Sequence, residues 1–67
     1  MTDIGKLRGA IYSKHTSISR FAESIGWSRQ RVHKIVNGEK TPDVRDIKAI
    51  SDGLNLSRDE IFDIFLH

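Results

Sequence analysis

The amino-acid sequence predicts an all-α fold of five short helices within 67 residues. Apolar residues recur at steps of three and four, which is the spacing of one helix face and not of a strand. A serine, threonine or aspartate precedes each such stretch and can cap a helix, and glycine or asparagine follows three of them and can end one. We therefore expect residues 1–67 to form a single small α-helical domain.

The first helix is expected to begin after Thr2 or Asp3 and to end near Lys14. Its predicted inward face consists of Ile4, Leu7 and Ile11. Gly5 and Gly9 weaken the helix, by up to about 1 kcal/mol each relative to alanine. An alternative role for Gly9 is to allow a second helix to pack closely against this one, because glycine lacks a Cβ.

The next two helices are separated by a short turn. Ser17 is expected to cap the second helix, and Gly26 to end it in the left-handed conformation. Its predicted inward residues are Ile18, Phe21, Ala22 and Ile25. Ser28 is expected to cap the third helix, which ends at Asn37-Gly38. Its predicted inward residues are Val32 and Ile35.

The last two helices carry capping-box patterns at their starts. Asp43 with Asp46 is a variant of the capping box, and Ser57 with Glu60 is a full one. The predicted inward face of the fourth helix is Val44, Ile47, Ile50 and Leu54. Asn55 is expected to end it. The fifth helix contains the apolar residues Ile61, Phe62, Ile64, Phe65 and Leu66.

The basic residues are concentrated in the middle of the chain. The net charge is +2 overall, but residues 14–40 contain six basic and two acidic residues, and residues 41–67 contain three basic and six acidic ones. A basic middle with an acidic end is typical of a surface that faces a polyanion and is backed by a solvated surface.

The third helix is predicted to carry a polar face suited to DNA. At about 100° per residue, the side opposite Val32 and Ile35 carries Gln30, His33 and Lys34, with arginines at 29 and 31 on its flanks. Arginine can donate two hydrogen bonds to guanine, and glutamine can pair with adenine in the same two-point way. Two short helices joined by a tight turn commonly place the second helix in the major groove.

The turn itself has steric requirements. Two helices that meet near a right angle need a small side chain at their contact and a positive φ at the corner. Ala22 and Gly26 meet these two requirements, and Trp27 is expected mainly to pack against the core.

These landmarks resemble the lambda-repressor-like helix-turn-helix family, which includes phage Cro proteins, phage repressors and xenobiotic-response-element regulators. The resemblance spans residues 4–66 and rests on Ser17, Phe21-Ala22, Ile25-Gly26, Trp27-Ser28, Val32, Ile35, Asn37-Gly38, Pro42 and Leu54-Asn55-Leu56. It implies a five-helix lambda-repressor-like domain whose second and third helices form the DNA-binding unit.

The resemblance also implies roles for individual residues. The residues expected to contact bases are Arg29, Gln30, His33 and Lys34. The residues expected to contact phosphates are Ser17, Ser28, Arg31, Asn37, Gly38, Lys40 and Arg45. Three positions depart from the family pattern. Ile18 replaces a common glutamine, Val36 replaces a common acidic residue and is expected to be exposed, and Glu39 lies in a loop expected near phosphate.

The fifth helix has more apolar surface than a short helix can bury on one side. One interpretation is that Phe62 and Phe65, or Ile61 and Ile64, simply cover the core. The favoured one is a two-fold dimer interface of Phe62, Phe65 and Leu66, in which case Phe65→Asp would weaken DNA binding without unfolding the monomer. Two half-sites would also supply the specificity that one small domain lacks.

The sequence therefore favours a sequence-specific transcription regulator, most similar to a Cro-type repressor of phage or prophage origin. It is expected to bind a palindromic double-stranded operator as a homodimer at least on DNA; the sequence leaves open whether it also pairs in free solution. The alternative is a helix-turn-helix fold used for protein–protein contact, or an antitoxin-like regulator. Cysteine is absent and the three histidines lack metal-site spacing, so no metal or cofactor is expected. A five-helix domain of this size is expected to offer no deep pocket and no oxyanion loop, so no enzyme activity is expected. Neither a membrane span nor a small-molecule effector is expected, and the location should be cytoplasmic.

Overall fold

The computed structural model describes residues 1–66, and this part of the chain contains five α-helices and no strand. The helices are α1 (Ile4–Lys14), α2 (Ile18–Ser24), α3 (Arg29–Val36), α4 (Val44–Leu54) and α5 (Arg58–Phe65). The predicted all-α class and helix order are confirmed. None of the helices within residues 1–66 combines the length and the apolar character needed to cross a membrane.

The first three helices begin at the caps that the sequence predicts. Asp3, rather than Thr2, caps α1, and Ser17 and Ser28 cap α2 and α3. In each case the side-chain oxygen accepts a hydrogen bond from the backbone N–H three residues later. Each cap satisfies one of the N–H groups that a helix start leaves without a partner.

Both predicted capping boxes form. Asp43 accepts the N–H of Asp46 at 2.8 Å, and the Asp46 carboxylate accepts the N–H of Asp43 at 3.1 Å. Ser57 and Glu60 exchange the equivalent pair of bonds at 3.2 and 2.9 Å. The two boxes differ in their surroundings, since Asp46 is buried and Glu60 is exposed.

Left-handed residues end two of the helices and close the loop after a third. Gly26 has φ 74°, Gly38 has φ 78°, and Asn55 has φ 52°. Only glycine adopts such angles freely, and asparagine tolerates them better than most residues. Asn37, with φ −94°, is not left-handed, so Gly38 alone makes the reversal after α3.

The core is organised around α1, which packs against each of the other four helices. Its largest fully buried side chains are the apolar residues Leu7, Ile11, Phe21, Ile35, Ile50 and Leu54. Lys14, the last residue of α1, donates a hydrogen bond to the carbonyl of Leu54, which ties the ends of α1 and α4 together.

Two valines lie on the opposite side from the one predicted. Val36 was expected at the surface but is 1% exposed, because it continues the stripe of Val32 and Ile35 at steps of three and four. Val44 was expected in the core but is 82% exposed. It occupies the first helical position of α4, and the inward stripe of that helix runs through Asp46 instead.

The prediction of close packing at Gly9 is wrong, and the close approach occurs at Gly53. A Cβ at Gly9 would meet nothing within 4 Å. A Cβ at Gly53 would lie 2.3 Å from Cγ2 of Ile25 and 3.2 Å from Cε1 of Phe21. The absent side chain at Gly53 therefore lets α4 approach α2 and the turn that follows it.

Helix α5 buries one side and exposes another. Ile64 and Phe65 are 5% and 4% exposed, whereas Phe62 and Leu66 are 61% and 57% exposed. The prediction that Phe65 is available to a partner is therefore wrong, because Phe65 belongs to the core of the monomer. The N-terminal segment is tied to this helix, since the N–H of Asp3 donates to the Ile64 carbonyl at 2.6 Å.

Candidate nucleic-acid interface

The turn between α2 and α3 is closed by backbone hydrogen bonds. The N–H of Gly26 donates to the carbonyl of Glu23 at 3.2 Å, and the N–H of Trp27 donates to the carbonyl of Ala22 at 2.9 Å. Ala22 is 1% exposed, as its place at the contact between the two helices requires. The positive φ of Gly26 then turns the chain sharply, so that α3 starts only a few residues after α2 ends.

The side of α3 that faces the rest of the protein is packed into the core. Val32, Ile35 and Val36 are each 1% exposed and belong to the core. On the other side, Arg29, Gln30 and Lys34 are exposed, whereas His33 is only half-buried at its edge. The polar face predicted for α3 is therefore presented to solvent on a helix that the core fixes in place.

The hydroxyls of Ser17 and Ser28 serve first as helix caps. They accept the N–H groups of Arg20 and Arg31 at 3.1 and 3.2 Å. A hydroxyl that accepts one hydrogen bond can still donate its own proton. Both serines can therefore cap a helix and donate to an anion such as phosphate at the same time.

Arg31 makes two contacts with its own chain. Its guanidinium carbon lies 3.7 Å from the centre of the Trp27 ring, and its Nη2 donates to Oδ1 of Asp46 at 3.1 Å. Stacking on indole is favourable for a cation and restricts its rotamers. The side chain nevertheless remains 48% exposed. Trp27 thus packs on the core, as expected, and also supports a basic side chain.

Lys40, in the loop after α3, contacts the same carboxylate. Its Nζ lies 3.0 Å from Oδ2 of Asp46, whose side chain is 1% exposed. Burial alone would raise the pKa of this carboxyl, but the bonds from Lys40, from the N–H of Asp43 and from Arg31 outweigh burial and leave the pKa below its ordinary value of 3.8. Asp46 is therefore a buried anion with three donors.

The loop after α3 is built on the end of that helix. The N–H groups of Glu39 and Lys40 both donate to the carbonyl of Lys34, at 2.8 and 3.0 Å. The side chain of Asn37 accepts a bond of 2.7 Å from Nη2 of Arg8, on α1. These contacts give Asn37, Gly38 and the loop a defined position beside α3.

One shallow concave surface collects five of the eleven predicted contact residues. It is lined by Ser28, Gln30, Arg31, Lys34 and Lys40. A second depression beside it is lined by Arg29, Gln30 and His33. Arg45, at the start of α4, is exposed. Arg29, Lys34 and Arg45 make no ion pair within residues 1–66, in contrast to Arg31 and Lys40.

Two residues that support this surface were not expected to do so: Asp46, which was expected only in a capping box but contacts Arg31 and Lys40, and Arg8. For Asp46 a signal was present, because it falls on the same four-residue spacing as the buried Ile50 and Leu54, and a carboxylate on an inward face needs cationic partners. For Arg8 there was none, since its contact with Asn37 joins residues that are 29 positions apart.

Comparison with protein-family models gave a match to a family described as helix-turn-helix, over residues 6–61. Neither the curated proteins nor the solved structures compared gave a match. The matched family comprises DNA-binding regulators related to lambda repressor and Cro, which are not typically enzymes. The match covers most of the chain and includes α2, the turn and α3. The chain therefore belongs to the lambda-repressor/Cro-like helix-turn-helix family and is a DNA-binding transcription regulator.

Proposed function

We propose that this chain is a sequence-specific repressor of the Cro type that binds a palindromic operator as a homodimer. The observation that carries the proposal is the division of α3 into a buried apolar side and an exposed side bearing Arg29, Gln30 and Lys34. The major groove is wide enough to admit such a helix, and the apolar side of α3 can stay packed in the core while the exposed side contacts the bases.

Base contacts are assigned to the exposed side of α3. Arg29 and Gln30 lie at its N-terminal end, which is the part of a recognition helix that contacts base edges. Lys34 lies one turn later, and His33 beside it is half-buried and reaches only the edge of the contact surface. Arginine and glutamine favour guanine and adenine respectively, so we expect both bases in each half-site.

Phosphate contacts are assigned to groups that flank α3. The residues are Ser17, Ser28, Arg31, Asn37, Gly38, Lys40 and Arg45. Hydroxyls, backbone N–H groups and basic side chains are the usual partners of phosphate oxygens, and they set the orientation of the protein on the duplex. Repression then follows from occupancy, by exclusion of polymerase, with no small-molecule effector. The protein would act in the cytoplasm as one domain of residues 1–67.

The dimer interface is assigned to two exposed apolar residues, Phe62 on α5 and Leu66 directly after it. A two-fold axis through this surface would bury the same side chains on both copies. Phe65, which the sequence also suggested, is excluded from the interface because its side chain fills the monomer core.

Selection of bound sequences from a random pool of DNA duplexes tests the proposal most directly. A palindromic product with half-site centres about one helical turn apart, roughly 34–36 Å, is expected. The affinity for that product should fall linearly with salt on logarithmic axes, with a slope of about 0.9 per phosphate contacted. Enrichment of no sequence would refute specificity, and a non-palindromic product would refute the dimer.

The dimer has its own test. Phe62→Asp should lower operator affinity at dilute protein and shift sedimentation toward the monomer. Tyr12→Asp is the matched control, because Tyr12 is also an exposed aromatic residue, on α1, and the substitution adds the same charge. Equal operator affinity and equal sedimentation of the two variants would show that α5 is not part of the dimer interface.

A second candidate is a helix-turn-helix fold used for protein contact. The exposed Phe62 and Leu66 favour it, because apolar side chains of this size are the usual anchors of protein interfaces. The salt titration separates the two candidates, since a protein-contact module would lack the steep dependence of DNA binding.

A further inference from the structure

We propose that Asp46 is a positioning residue of the DNA-binding surface: its buried carboxylate holds Arg31 and Lys40 in fixed orientations beside α3 and neutralises one of their two positive charges. This inference rests on the proposed DNA-binding surface and assigns a role within it to a residue that does not touch DNA. Its consequence is a protein that discriminates between sequences better because its attraction to DNA of any sequence is restrained.

The geometry places one anion behind two cations. Oδ1 of Asp46 accepts from Nη2 of Arg31 at 3.1 Å, and Oδ2 lies 3.0 Å from Nζ of Lys40. The carboxylate is 1% exposed, whereas the two basic side chains are 48% and 43% exposed. The carboxylate therefore faces the protein, and the cations cover it on the side of the solvent.

The two cations belong to the surface that is proposed to face DNA. Arg31 and Lys40 line the same concave surface as Gln30 and Lys34. Each retains donors, because a guanidinium has five N–H groups and an ammonium has three, and Asp46 engages only part of them. Both side chains can therefore bridge Asp46 and a phosphate.

The orientation of Arg31 is fixed twice. Its guanidinium is held by Asp46 from α4 and lies 3.7 Å from the centre of the ring of Trp27, in the turn before α3. Lys40 is held through its side chain by Asp46 and through its backbone N–H by the carbonyl of Lys34. A pre-ordered donor loses less conformational entropy on binding than a free one.

The charge balance limits unspecific attraction. Asp46 cancels one charge of the pair, so the three groups together present a net charge of +1 instead of +2. Binding to DNA of any sequence depends on the number of counterions released, and a neutralised cation releases fewer. Asp46 thus restrains the contribution that sequence does not control.

The test compares Asp46→Asn with the wild type on two duplexes of equal length, the selected operator and a scrambled sequence, over a range of salt. An asparagine oxygen can still accept the N–H of Asp43, so the helix start keeps its cap while the charge is lost. Asp52→Asn is the matched control, since it removes a carboxylate from the same helix that is exposed and paired only with Lys48.

We expect the Asp46→Asn salt slope on the scrambled duplex to steepen by up to about 0.9, which corresponds to about eightfold tighter binding at 0.1 M salt. The ratio of operator to scrambled affinity should fall, because Arg31 and Lys40 are no longer ordered. Asp52→Asn should change both quantities less. Equal slopes and equal ratios in the two variants would overturn the role of Asp46.

The outcome for the wild type keeps the two hypotheses distinct. Failure of the wild type to bind either duplex refutes the proposed function, whereas wild-type binding with an unchanged Asp46→Asn refutes only the inference. If Asp46→Asn does not fold in a thermal melt, Lys40→Gln and Lys34→Gln decide the question. Lys40→Gln removes a lysine that Asp46 already pairs, so it should reduce the salt slope less than Lys34→Gln, which removes an unpaired lysine. An equal or larger reduction in Lys40→Gln would contradict the proposal.

Discussion

The solvent-facing sides of α3 and α5 differ in how their apolar and polar residues are segregated. In α3 the three apolar residues Val32, Ile35 and Val36 are all buried, and the polar residues lie on the other side. In α5 apolar residues occur around the helix, and Phe62 is exposed although Phe65, three positions later, is buried.

The difference shows when a sequence pattern determines orientation. A helix with one apolar stripe can be placed against a core in only one rotation, because any other rotation exposes the stripe and buries charge. A helix that is apolar on several sides can rotate about its axis at little cost in free energy. The helices that pack against it then determine which of its residues are buried. For α5 the neighbours are α1 and α4.

The largest expected effect concerns α5. Phe65→Ala should cost about 3–5 kcal/mol of unfolding free energy, because it removes a buried ring. Phe62→Ala, a matched change on the same helix, should stay within about 0.5 kcal/mol, as is usual at exposed sites. Urea denaturation of both variants measures the difference, and similar losses would contradict the placement of α5. Phe65→Asp should unfold the monomer, contrary to the expectation from sequence.

The second prediction concerns the support of the α3 face. Gly53→Ala should destabilise the fold by about 1–3 kcal/mol, since the new Cβ would overlap Ile25 and force a shift of α4 or the turn. Gly9→Ala should instead stabilise it by up to about 1 kcal/mol, because the added methyl meets open space within a helix. Thermal denaturation compares the two variants with the wild type. The changes in unfolding free energy must have opposite signs, and equal signs would contradict the placement of the two glycines.

The third prediction separates recognition from stability. Gln30→Ala should cost about 1–3 kcal/mol of binding free energy on the preferred duplex and relax one base position of each half-site. Its unfolding free energy should hardly change, because the side chain is exposed. Lys48→Ala, on α4 and outside the concave surface, is the control for the loss of an exposed side chain. An unchanged sequence preference in Gln30→Ala would mean that α3 docks in another register.

The fourth and smallest effect is a dependence of stability on pH that distinguishes the two capping boxes. The pKa of Asp46 is lowered in the folded state, so its stabilisation is present above the ordinary value of 3.8 and is lost as pH falls through the folded value. Urea denaturation from about pH 5 to pH 2 should show this loss, and Asp46→Asn should flatten the profile.

Glu60 provides the contrast for that measurement. Its pKa is also lowered, by hydrogen bonds from the backbone and side chain of Ser57, but the carboxylate is exposed to solvent. The unfolding free energy of Glu60→Gln should therefore still decrease on acidification by more than that of Asp46→Asn does. The reverse order would show that burial does not strengthen the Asp46 contacts.

Much of the proposed DNA-binding surface was predictable because its signals are local. The caps at Ser17 and Ser28 and the reversal at Gly26 involve residues within four positions of one another, and all three are confirmed. The roles of Arg29, Gln30 and Lys34 in base contact stay predictions, although their exposure agrees with them. The partners of Arg31 and Lys40 were not predictable, because Asp46 reaches them from another helix.

The sequence by itself determined the helices, their caps and the polar face of α3, since periodicity and capping act over a few residues and do not depend on distant partners. Only the tertiary structure decided that Phe65 is inside, that Val44 is outside, and that Gly53 rather than Gly9 is the point of close approach. The physical reason is that burial depends on which surfaces face each other once the helices have packed, and several rotations of an apolar helix satisfy its local pattern equally well.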